Sequence, residues 1–197
     1  MMSSASPIPY SFSHTTERLL LRGLTMNDHS IWKETHLNLP KSDNPWAIQP
    51  RTEDKLTRKA YRQWQVSTQE DWQRDQNYYF AAFERETHHM IGQISLMDIS
   101  RAIFQNAYVG YTVFTPYWRK GYGTEMLNGA IDIAFQNLKL HRIEAGIDPQ
   151  NTPSICLVEN IGFRFEGLSR NRLYFKDQWR DMRIYAFTTE DHPRLLN

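Results

Sequence analysis

The stretch from Phe114 to Phe135, F-T-P-Y-W-R-K-G-Y-G-T-E-M-L-N-G-A-I-D-I-A-F, limits the fold more than any other part of the chain. Upstream of it, Tyr108 to Phe114 is rich in aromatic and β-branched residues, as a strand requires, and Pro116 ends the ladder at about Thr115 by removing a donor. Downstream, Leu127, Ala130, Ile131, Ala134, Phe135 and Leu138 recur at three- and four-residue steps, which places them on one buried face of a helix. Between strand and helix lie Gly121 and Gly123, which permit unusual backbone angles and a close approach to the main chain.

A helix N-terminus that follows such a turn offers unpaired N–H donors and roughly half a positive charge, enough to hold a phosphate or pyrophosphate. Arg119 and Lys120 add two full charges. From glycine spacing alone, an ordinary strand-to-helix turn with solvated basic residues is an equal alternative. Two other phosphate loops are excluded. A P-loop would continue Gly-Lys-Ser/Thr where Thr124 and Glu125 stand, and a dinucleotide fingerprint would place glycine at Met126.

The remaining chain reads as one mixed α+β domain. Glu17 to Arg22 is a strand and Thr25 opens a helix to about His36; three prolines and Trp46 make residues 37–51 a loop. A charged helix follows from about Thr52 to Arg74; its Tyr61, Trp64 and Trp72 suit the core better than the wall of a groove. Tyr78 to Glu84 and Met90 to Asp98 form a hairpin whose turn carries His88 and His89. With no nearby carboxylate or cysteine at ligand spacing, these histidines predict no metal site. His141 to Ile147 is a strand, Pro153 sits at the start of a helix that ends at Gly162, and Phe163 to Arg172 and Gln178 to Thr188 close the fold around Lys176-Asp177-Gln178.

At 197 residues with a net charge of +1, the chain suggests one domain and gives no overall electrostatic case for nucleic acid or anionic membrane. One cysteine, Cys156, excludes an intramolecular disulfide and suits a reducing, cytoplasmic setting; burial is its expected role. The opening M-M-S-S-A-S-P-I-P-Y has neither a basic nor an apolar signal region, and no run approaches the roughly eighteen apolar residues that span a membrane.

The glycine turn together with N-T-P-S-I-C-L-V-E-N-I-G-F-R-F-E-G, Asn151 to Gly167, resembles the GNAT superfamily of N-acetyltransferases. H-R-I-E-A, Trp118 to Glu125 and the closing Q-W-R-D resemble its Rim-type ribosomal-protein-alanine members. The resemblance implies a single GNAT domain over residues 16–190 with tails at 1–15 and 191–197, and a mixed, mostly antiparallel sheet of about seven strands flanked by about four helices.

It also implies acetyl-coenzyme A as co-substrate, its pyrophosphate held by Arg119, Lys120, Gly121, Tyr122, Gly123 and Thr124. The backbone at Thr112 and Val113 would pair with the pantetheine arm, and Asn151 would hydrogen-bond it. Trp118 departs from the Gln or Arg usual at the first motif position. Ser154 matches a serine proposed as general acid, and its alternative is helix support. The carboxylate usual on the strand entering the loop is replaced by Ala107-Tyr108-Val109, which leaves Glu144 as the candidate base, with an ion pair as its other reading. Glu125 is explained by the helix dipole.

The implied acceptor is a primary amine, first the N-terminal alanine of a small-subunit ribosomal protein. A small-molecule amine such as an antibiotic, polyamine or amino acid is the alternative, and a non-catalytic acetyl-coenzyme A or ribosome-binding protein is a third. Oligomeric state is open.

Overall fold

Alternation of apolar and polar residues builds the sheet, and the three- and four-residue steps build the helices that cover it. The computed structural model describes residues 7–175 and 177–192. Its strands and helices run β1 (Ser13–Thr15), β2 (Leu19–Arg22), α1 (His29–Leu37), α2 (Arg58–Gln73), β3 (Tyr78–Glu84), β4 (Met90–Ser100), β5 (Asn106–Val113), α3 (Tyr122–Asp132), β6 (Arg142–Ile147), α4 (Thr152–Ile161), β7 (Arg164–Phe175) and β8 (Gln178–Thr188). The strands form one sheet of eight in the order β1-β2-β3-β4-β5-β6-β8-β7.

Among the described residues the architecture is α+β with four α-helices and eight strands, in agreement with the expected four or so helices and about seven strands. The first strand, Ser13–Thr15, lies inside the stretch read as tail, where it pairs with β2 from Ser13 opposite Arg22 to Thr15 opposite Leu20. Its sequence, Ser-His-Thr, carries no apolar alternation, so only its backbone bonds define it. The following strand is shorter than expected because residues 16–18 turn: the Thr16 N–H donates to the Leu19 carbonyl at 2.9 Å. Residues 1–6, Lys176 of the last turn and residues 193–197 of the expected C-terminal tail lie outside the described residues.

The helix after the glycine turn buries the predicted stripe: Leu127, Ala130, Ala134 and Leu138 are inaccessible to solvent and Ile131 and Phe135 nearly so. They join Trp72, Tyr78 and Phe80 in the larger core, while Trp32, Leu56, Tyr61 and Phe114 form a smaller one with the start of α2. Burying side chains of this size contributes roughly 1.5–3 kcal/mol each.

One pairing positions the site. β5 and β6 are parallel neighbours only from Asn106 opposite Arg142 to Tyr108 opposite Glu144. β6 continues beside β8 to Ile147 while β5 stays with β4 to Val113, so the two strands part and leave a cleft in the sheet.

Candidate active site

Two cavities meet where β5 parts from β6. A cleft of about 230 Å³ is lined by Val109, Gly110, Tyr111, Ile147, Asn151 and Ser154 among others. A larger groove of about 670 Å³ runs between the sheet and α1–α2, past Trp32, Arg51, Trp64, Gln93 and Ser95. Gly110, Tyr111, Leu173 and Phe175 line both.

The backbone facing the cleft follows from the ladder. In an antiparallel pair, alternate residues exchange both hydrogen bonds. The Phe114 N–H donates to the Ile91 carbonyl at 2.8 Å, so in the same phase Thr112 bonds Gln93, while Val109, Tyr111 and Val113 turn their main-chain groups toward the open side. The expected pairing of a substrate arm with Thr112 is therefore corrected. The Thr112 peptide groups are committed to β4, and the Val113 carbonyl accepts from Trp118 Nε1 at 2.6 Å. That indole bond is what tryptophan supplies at the first motif position.

The turn has an anion-binding form. After a short 3-10 turn at Thr115–Tyr117, Arg119 adopts φ +59° and Gly121, the helix cap, adopts φ +80° and has no side chain to satisfy the donors that follow. Gly121 suits that position because side chains disfavour the region. The N–H groups of Tyr122, Gly123 and Thr124 open α3, and Arg119, Lys120 and Gly121 are exposed. Tyr122 turns its ring inward and hydrogen-bonds the Glu84 carboxylate.

The loop is fastened from a distance. Glu125 accepts from Thr16 Oγ1 and from the Arg18 N–H, both at 2.6 Å, and from Arg18 Nε at 2.7 Å, while another guanidinium nitrogen of Arg18 reaches the Lys120 carbonyl at 2.9 Å. Burial opposes the Glu125 charge, but these donors outweigh it and hold the carboxyl below its ordinary range. Glu125 therefore does more than complement the helix dipole.

On the far side of the cleft, Asn151 caps α4 by accepting from the Ser154 N–H at 3.3 Å. Ser154 Oγ lies 2.7 Å from the Tyr111 hydroxyl. Burial pushes the Tyr111 phenol up to about 12, and the bond to Ser154 offsets only part of that. The pair is a neutral, proton-holding unit at the point shared by both cavities.

Glu144 is elsewhere. Its carboxylate receives Arg142 Nε at 2.8 Å, Arg142 also pairs with Glu166, and Glu144 lines neither cavity. The ion-pair reading replaces the base reading, because a carboxylate held by a guanidinium two residues back on the same strand does not reach the shared point. Cys156, expected to be buried, is exposed on α4 and lines neither cavity. Tyr61 and Trp72 are core as expected, whereas Trp64 is 38% exposed and walls the groove. His88 and His89 are exposed in their turn.

Three features of the candidate site escape sequence reading: Arg18, whose partners here lie more than a hundred residues away; the groove residue Arg51; and Tyr111. For Tyr111 a signal existed, since the alternation of N-A-Y-V-G-Y-T-V puts its ring opposite Thr112, on the face of α3 and α4.

Geometry and family agree. Residues 18–164 match the acetyltransferase (GNAT) domain model. Among the relatives, "Probable N-acetyltransferase YjcK" of Bacillus subtilis is 35% identical over 141 residues, 72% of this chain and 78% of that protein. The [ribosomal protein uS5]-alanine N-acetyltransferase of Escherichia coli is 32% identical over 114 residues, 58% of this chain and 59% of that enzyme. In fold, the chain is similar to Mycobacterium smegmatis RimJ in complex with CoA-disulfide, with TM-score 0.78 and 23% identity over 93% of this chain and 90% of that one. The open donors at Gly121, the basic pair before it and the parted strands fit acetyl-coenzyme A. The chain belongs to the GNAT acetyltransferase family, and its co-substrate is acetyl-coenzyme A.

Proposed function

We propose that this acetyltransferase acts on the α-amine of a protein N-terminus, with the N-terminal alanine of a ribosomal protein as the first candidate, in line with the Escherichia coli relative, a [ribosomal protein uS5]-alanine N-acetyltransferase. The observation that carries the proposal is the groove. It has room for several residues of extended chain, is walled by Trp32 and Trp64, and among the described residues has no aspartate or glutamate in its lining. Within the groove itself a polyamine or lysine ammonium would find no counter-charge, and Asp148, which lines the adjoining cleft, is paired with Arg180 at 3.6 Å. An α-amine, with a pKa roughly two and a half units below lysine, is neutral often enough near pH 7 to react without a strong base.

Roles follow for the chain's own groups. Arg119, Lys120 and the main-chain N–H groups of Gly121, Tyr122, Gly123 and Thr124 hold the pyrophosphate. The open edge at Val109, Tyr111 and the Val113 N–H, with Asn151 opposite, holds the pantetheine arm. Acetyl-coenzyme A supplies the acetyl group as a thioester. Ser154 Oγ and the Tyr111 phenol keep a transferable proton between them, and the amine gives up its own proton to solvent through the open groove. A cytoplasmic setting goes with this reading, since that is where ribosomal proteins are made; no helix among the described residues is long and apolar enough to cross a membrane.

Rates for paired peptides, one with a free α-amine and blocked lysine and the other reversed, test the proposal. Faster α-amine acetylation is expected; faster lysine acetylation, or turnover of polyamines alone, would sink it.

A further inference from the structure

The groove has a charged rim that the acetyl chemistry does not use. The Arg51 main-chain N–H donates to the His36 carbonyl at 3.0 Å, which ties this loop to the end of α1. Its guanidinium lies 5.9 Å from the centre of the Trp32 ring, lines the groove, and has no carboxylate within salt-bridge reach among the described residues. Lys55 lines the same groove and pairs with the exposed Asp54 at 3.6 Å. His36, buried on the same groove, adds no charge: burial and the Arg51 charge favour its neutral form and outweigh the hydrogen bond of Nδ1 to the Trp32 carbonyl at 2.8 Å.

We infer that Arg51, with Lys55 beside it, is a carboxylate subsite, so that the preferred acceptor is an acidic peptide with aspartate or glutamate within a residue or two of the reacting amine. This rests on the α-amine reading above and narrows it. A planar guanidinium backed by an indole suits a carboxylate, and Arg51 has none of its own. The acidic side chain keeps the acceptor bound despite the repulsion of its ammonium.

The experiment uses alanine-initiated peptides that differ only at residues two and three, carrying glutamate, glutamine or lysine, with kcat/KM measured at low and high salt. The expected order is glutamate, then glutamine, then lysine, with about fivefold per step at low salt and convergence at high salt, as for exposed charge pairs. Arg51→Gln removes the glutamate lead, and Arg51→Lys, which keeps the charge, retains most of it. Equal rates for the three peptides, or a glutamate lead that survives Arg51→Gln, overturn the subsite while leaving α-amine acetylation intact. Acetylation only of peptides whose α-amine is blocked overturns the reading beneath it.

Discussion

The Tyr111 hydroxyl lies 2.7 Å from Ser154 Oγ, joining β5 to the first turn of α4 where the two cavities meet. Each hydroxyl can pass a proton to the other, so they form a unit, and units respond non-additively to mutation. Tyr111→Phe is expected to lower kcat about 10²-fold, Ser154→Ala about tenfold, and the double variant no more than Tyr111→Phe alone, as read by thiol release. Independent, multiplying losses would show that the pair does not act together.

The pH profile follows from the same phenol. With its value pushed up to about 12, Tyr111 stays protonated through the range an enzyme tolerates and imposes no falling limb. Activity is expected to rise with pH until the acceptor α-amine is neutral, near 8, and then to level. A decline setting in between pH 8 and 10 without unfolding would show that another acid works here.

Gly121 combines φ +80° with a close neighbour, since an added Cβ would come within 3.3 Å of the Arg18 guanidinium. Gly121→Ala is expected to cost about 1 kcal/mol in backbone strain and to weaken coenzyme A binding about tenfold by titration calorimetry, with the acceptor KM little changed. Unchanged coenzyme A affinity would remove the turn from the binding site.

The legibility of this molecule divides by range. The glycine turn, the buried stripe from Leu127 to Leu138 and the Asn151–Ser154 cap are local patterns, so neighbouring residues carry their meaning. The Arg18–Glu125 clasp and the Tyr111–Ser154 pair join segments whose proximity exists only in the fold. Register decides the Thr112 correction, because a shift of one residue exchanges which peptide groups face the cleft.

Glu125 sets a stability signature. Its folded pKa is depressed, so its contribution is complete above the ordinary glutamate value near 4.5 and is lost as pH falls through the lowered folded value. Glu125→Gln is expected to lower stability by about 1–3 kcal/mol at pH 7 and to narrow that gap in acid, as measured by denaturant unfolding at several pH values. A gap independent of pH would contradict the clasp.

Glu144→Gln provides the contrasting case. With its carboxylate given to Arg142, it is expected to change kcat less than about threefold and to cost up to about 1 kcal/mol of stability. A large loss of kcat at unchanged stability would restore Glu144 as the base.

A crystal structure with coenzyme A tests the central claim most directly. Pyrophosphate oxygens are expected within hydrogen-bond reach of the main-chain N–H groups between Arg119 and Thr124, with the thiol at the Tyr111–Ser154 pair. A cofactor lying elsewhere, or a thiol directed toward Arg142 and Glu144, would contradict it.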